Sequence, residues 1–199
     1  MTQSVKDTRK REREPRADIS ADTPDWSREA KRFWSWHPSR SLLASLRAHE
    51  KACQGSTPFH FVQRWTAVLR HRFWSVVTGA DIPLGCQIAG GLLLPHPNGI
   101  VIHPDARIGP NCLLMQQVTL GTGGSLPGAP SLAGRVDVGA GAKILGGVTL
   151  GEHSIVGANA VVLQDVPAGS TAVGIPARIV RSGGSRRSPG DTASLETNV

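Results

Sequence analysis

Residues 137–162 read DVGAGAKILGGVTLGEHSIVGANAVV, and one spacing governs them: Val138, Ile144, Leu150, Val156 and Val162 stand six residues apart. Four positions beyond each sits a small or short side chain: Ala142, Val148, Ser154, Ala160 and Val166. A helix repeats near 3.6 residues and a half-buried strand every two, so neither explains a period of six. One short strand plus one corner does. Three such units close a triangular coil, and coils stack with the β-ladder spacing of roughly 4.8 Å. The aliphatic residue then points into a narrow prism, the small one fits beside it, and glycines such as Gly139, Gly151 and Gly157 relax the corners.

The same frame extends backwards through Ile82, Ile88 and Leu94 and, after a slip of two residues, through Ile102, Ile108, Leu114 and Leu120. Cys86, Ala106, Cys112 and Val118 take the small position there. Between Leu120 and Val138 the rhythm blurs in GTGGSLPGAPSLAGR. Leu126 and Leu132 keep the frame of a regular coil, but the glycine and proline content favours an extruded loop over residues 121–135. The ending VPAGSTAVGIPARIV reads as a cap that covers the last coil's open edge.

Composition changes where the period begins. Up to Ala80 the chain carries 15 Lys and Arg against 8 Asp and Glu; beyond it the count is 7 against 7, so the net charge of +7 sits in the first part. All the aromatic residues lie there too, as expected if a thin prism has no room for them. The spacing and breaks suggest helices over DWSREAKRFWSW, over SRSLLASLRAHEKA after Pro38, and from Thr57-Pro58 to a stop at Gly79. In the last, Phe61, Val62, Trp65, Val68, Leu69, Phe73, Val76 and Val77 recur at helical spacing. Trp34, Trp36, Trp65 and Trp74 are read as packing residues rather than as a sugar platform.

The expected organisation is a disordered basic tail (1–21), a small α-helical region (22–80), a mainly β domain (81–181) and a flexible tail rich in Gly, Ser and Arg (182–199). Acidic residues interleave in KDTRKREREPR, which reads as a solvated tail, and no nucleic-acid-reading motif follows it. No apolar run approaches the ~20 residues of a membrane span, and the charged start lacks a secretory core. Three cysteines without C-x-x-C spacing suit a reducing compartment, so a cytoplasmic protein is expected.

One stretch of the periodic region is out of character. Residues 92–102, LLLPHPNGIVI, place His96 between two prolines in the middle of an apolar run. With 18 residues per coil, Asp81, fifteen positions earlier, falls about one coil below it on a similar part of the wall. A carboxylate there can fix an imidazole tautomer and stabilise an imidazolium, which is the arrangement of a general base.

These residues, with DIPLG, GIVI, QQVTLG, VGAGAKILG and VGIPARIV, resemble the hexapeptide-repeat acyltransferases over about residues 81–181, and among them serine O-acetyltransferases most. The resemblance implies a left-handed parallel β-helix, a homotrimer, and acetyl-CoA as donor to a small hydroxyl acceptor, with no metal. It implies that His96 is the base and Asp81 its orienting partner. It carries the donor contacts to Gly121, Ala140, Gly141 and Ala158, small residues suited to an extended ligand.

The acceptor side departs from the pattern. Pro95 stands where the family has an aspartate before the base, and Gly128 and Ala129 stand where it has an Arg-His pair. Serine and a saccharide hydroxyl are therefore both kept as acceptors, with a non-catalytic trimeric scaffold as the remaining reading. The helical region is shorter than the one that pairs trimers in longer relatives, so a trimer is expected. Docking of the terminal Val199 to the next enzyme of cysteine synthesis is not. Cys86 and Cys112 are read as packing residues, Lys143 as facing solvent, and His103 and His153 as pointing outward rather than joining His96 on zinc.

Overall fold

The computed structural model describes residues 19–31 and 36–181. The expected tails therefore lie outside the described residues, apart from the last three positions of the first, and so does Trp34. The periodic region forms a left-handed parallel β-helix. Its strands are two to five residues long and fall into three ladders, one per prism face. The first face stacks β2 (Val101–Ile102), β5 (Thr119–Gly121), β8 (Lys143–Leu145) and β11 (Val161–Val162). The second stacks β1 (Gln87–Ile88), β3 (Arg107–Ile108), β6 (Ser131–Leu132) and β9 (Thr149–Leu150). The third stacks β4 (Leu113–Leu114), β7 (Asp137–Val138) and β10 (Ile155–Val156), and the antiparallel hairpin β12 (Thr171–Gly174)–β13 (Ala177–Arg181) closes it.

Every aliphatic frame residue from Ile82 to Val162 is buried, except Leu126 of the loop, and so are the small residues four positions on. Where the coil is regular, register partners lie 18 residues apart, as Val101–Thr119 and Lys143–Val161 do. Two insertions break this count. Leu93 pairs with Leu113, and the two extra residues of that coil form the His96 turn. Leu120 pairs with Ile144, and the six extra residues there are the expected extruded loop, not a further coil: Leu126 is 39% exposed while Leu132 keeps the frame inside. The loop folds back onto the next coil, where Gly146 N–H donates to Gly121 O and Gly147 N–H to Leu126 O. A side chain at Gly147 would strike the Pro127 carbonyl.

Two helices, α1 (Pro38–Cys53) and α2 (Pro58–Thr78), form a hairpin over the start of the prism. Both open with proline at the first turn, and Gly79 ends α2 at φ 65°. Leu42, Leu43 and Leu46 of α1 join the prism core. Buried His71 of α2 locks the hairpin down: its Nε2–H donates to Ile82 O at 2.9 Å, and Nδ1 lies 3.2 Å from Ser45 Oγ. Burial holds this imidazole below its ordinary pKa.

Three expectations are corrected here. Among the described residues of DWSREAKRFWSW the one helical element is a 3₁₀ turn, Trp26–Arg28: Asp25 caps Ser27 N–H, and Glu29 then accepts from Leu92 N–H on the prism. The first tail does not extend to residue 21: Ala21 is buried, and Asn111 accepts from Asp25 N–H and donates to Ser20 O and Thr23 O, strapping the segment down. The large apolar residues of α2 are not core. Phe61, Val62, Trp65, Leu69, Phe73 and Val76 are each more than half exposed, as is Trp36, while Ala67, His71 and Thr78 form the packed side.

Candidate active site

His96 sits at the corner between the third and first faces, and the two inserted residues push that corner outward into solvent. Pro95 and Pro97 fix φ on both sides of it and remove two backbone donors that would otherwise need partners. The turn is anchored from below. Gly99, at φ 70°, donates its N–H to Gly79 O, so the end of α2 is tied directly under the His96 turn. Glycine suits position 79 because its φ of 65° is left-handed, and a Cβ there would also push the Asn98 amide aside. From above, Gln117 N–H donates to Asn98 O.

Asp81 is placed by the ladder. Its N–H donates to Ile100 O and its O accepts from Ile102 N–H, which sets it one coil below Val101 on the first face. Both Asp81 and His96 are exposed, and among the described residues no hydrogen bond or ion pair joins their side chains in the single chain.

The His96 corner continues up the prism as one column. The residue at positive φ is Gly99, then Gln117, Gly141 and Asn159. Gly141 N–H donates to Gln116 O, and Asn159 N–H to Ala140 O. Ala140, Gly141 and Ala158 therefore stack on the corner that begins with His96. Gly121 does not: it ends β5 on the far side of the first face, in register with Leu145. Lys143, on that face, donates from Nζ to Gln117 O.

A cavity of about 420 Å³ opens beside His96, lined also by Pro95, Pro97 and Asn98 of the turn, by Val77 and Thr78 of α2, and by His37–Ser39 at the start of α1. The helical contribution was not seen in the sequence. The signal available was His37-Pro38, a polar residue at a helix start. Cys86 and Cys112 are buried, with thiols pushed up to about 11 by burial, which suits packing rather than nucleophilic attack. Cys53 is exposed, and His49 Nε2 lies 3.7 Å from its Sγ, a neighbour the sequence did not reveal. His103 Nδ1 lies 3.8 Å from Asp105, and His153 is exposed at a corner. No group of three or more His, Cys, Asp or Glu able to hold a metal occurs among the described residues.

No protein-family model matches the chain. Individual proteins do. A serine acetyltransferase of Synechococcus elongatus is 43% identical over 122 residues, 60% of this chain and 50% of the relative. One from Helicobacter pylori strain J99 is 44% identical over 124 residues, 61% of this chain and 70% of the relative. Among solved structures, soybean serine acetyltransferase complexed with serine aligns at TM-score 0.61 and 36% identity, covering 73% of this chain and 58% of that one. Serine acetyltransferase in complex with coenzyme A from Brucella abortus strain S19 aligns at TM-score 0.63 and 32% identity, covering 75% and 58%. The chain spans about half the length of the first relatives it matches. With the six-residue repeat and the His96 corner, these likenesses identify a hexapeptide-repeat acyltransferase: the chain belongs to the serine acetyltransferase family.

Proposed function

We propose that this protein transfers the acetyl group of acetyl-CoA to a hydroxyl acceptor, as a serine O-acetyltransferase. The observation that carries the reading is the inserted, proline-held His96 corner beside an open cavity, in a chain of this family. His96 takes the acceptor's hydroxyl proton as its oxygen attacks the thioester carbonyl. Backbone N–H groups stabilise the tetrahedral oxyanion. The carbon–sulfur bond then breaks, and the imidazolium returns its proton to the departing coenzyme A sulfur. Asp81 orients the ring and stabilises its charged form.

The donor lies along the column of Ala140, Gly141 and Ala158, with Gly121 facing it from a neighbouring prism. That division of labour supports a homotrimer, and the exposed side of α2 offers it apolar contact surface. A saccharide hydroxyl is the second reading of the acceptor. It is favoured by Pro95 beside His96 and by the uncharged Gly128 and Ala129 in the loop that folds back on Gly146 and Gly147.

Thiol release from acetyl-CoA, followed with L-serine and with sugars in parallel, tests both. Saturable turnover with L-serine is expected. Turnover only with a sugar keeps the His96 chemistry and moves the acceptor, whereas no turnover with any acceptor removes the enzyme reading.

A further inference from the structure

Asp81 stands on the first coil of the prism, which has no coil beneath it to complete its ladder. Asp81 N–H and O are both taken from above, by Ile100 O and Ile102 N–H. Along a strand the next residue turns to the opposite side, so Ile82 O faces the open edge, and Ile82 is buried. No backbone N–H among the described residues reaches that carbonyl. A buried carbonyl without a partner is costly, and one side chain supplies the partner. It is His71 of α2, whose Nε2–H donates to Ile82 O at 2.9 Å.

We infer that His71 is a positioning residue for Asp81: by capping the peptide that follows Asp81, it fixes where the carboxylate stands relative to the His96 turn. The inference rests on the acetyl-transfer reading above. Among the described residues the Asp81 carboxylate makes no hydrogen bond, so its place is set through the backbone. The Ile82 carbonyl can only accept, which keeps the ring proton of His71 on Nε2. Burial lowers the pKa of this ring and holds it neutral. His49 acts in the same direction and Asp81 against both, so the carboxylate and the ring feel each other. Ser45 Oγ of α1, 3.2 Å from Nδ1, and Ser75 Oγ of α2, 3.5 Å from Nε2, flank the ring. The same helix holds the other partner, since Gly79 O at its end accepts from Gly99 N–H in the His96 turn. One helix therefore sets the floor under both groups, Asp81 through His71 and His96 through Gly79.

A double-mutant cycle on the full chain, read by thiol release from acetyl-CoA, separates positioning from folding alone. The Asn amide reaches only the level of Nδ1 and loses Ile82 O, whereas the Gln amide reaches the level of Nε2 and keeps it. His71→Asn should lower kcat about 10-fold, with KM for acetyl-CoA unchanged, and His71→Gln should restore most of that loss. In an Asp81→Asn background, His71→Asn should change kcat by less than about two-fold, because the group it positions is already gone. Should His71→Asn fail to melt cooperatively, His71→Met keeps the side-chain volume and takes its place in the cycle. A folded variant with unchanged kcat, or an equal loss in both backgrounds, would overturn the inference while leaving acetyl transfer in place. No turnover by wild type with any acceptor would instead overturn the acetyl-transfer reading, and the inference with it.

Discussion

The prism and the helical hairpin bury their side chains by opposite logic. In the prism, the residues that repeat every six positions are the residues that are buried, because each coil closes on itself and on the coils above and below. In α2 the large apolar residues repeat at helical spacing, yet they face outward, and the helix packs through Ala67, His71 and Thr78. Periodicity reports which face must be covered, not what covers it. In the prism the cover is the chain itself; on α2 it is a surface left open for the proposed subunit contact.

Charge placed on each region should break this comparison or sharpen it. Ile144 is fully buried, and Ile144→Asp should cost about 4 kcal/mol or more and abolish a cooperative melt near room temperature. Leu120→Ala, which leaves a cavity in place of a fully buried side chain, should cost about 2–5 kcal/mol, read from denaturant midpoints. Leu69→Glu changes a side chain that is 63% exposed. It should leave the chain folded and shift its sedimentation towards that of a monomer; an unchanged mass would remove α2 from the contact.

His71 joins the two regions and gives them a pH dependence. Its folded pKa is depressed, so the unfolded chain takes up the proton first, near about 6.5. The His71 contribution is complete above that pH and lost as pH falls below it. Denaturant midpoints should therefore drop between about pH 7 and 5, and His71→Gln should flatten that part of the curve. The smallest effect is a count of thiols. In the native protein Cys53 alone should react with a disulfide reagent at pH 8, while Cys86 and Cys112, buried with thiols pushed up to about 11, should react only on unfolding.

The prism was legible because its packing is local in sequence: each hexapeptide carries its own inward residue and its own corner. The slip between Leu94 and Ile102 was legible as a slip, and the ladder shows it to be the outward corner that bears His96. The loop after Gly121 was legible from its glycines and prolines. What stayed hidden depends on distant partners. Asn111 holds Ser20, Thr23 and Asp25 across more than eighty residues, and no local pattern announces that strap. The outward face of α2 was hidden for the same reason, since an amphipathic pattern does not say which side meets α1. Of the candidate site, His96 and Asp81 stood out by their spacing, while Ala140, Gly141 and Ala158 came from the resemblance. His37, Val77 and Thr78 did neither, because they reach the site through tertiary packing alone.

The central claim is that His96 is the base. Thiol release from acetyl-CoA with the preferred acceptor, compared between wild type and His96→Ala, tests it most directly. His96 is exposed, so the variant should melt as wild type does while turnover falls by about 10²–10⁴-fold. A folded His96→Ala protein with near-normal turnover would contradict the account.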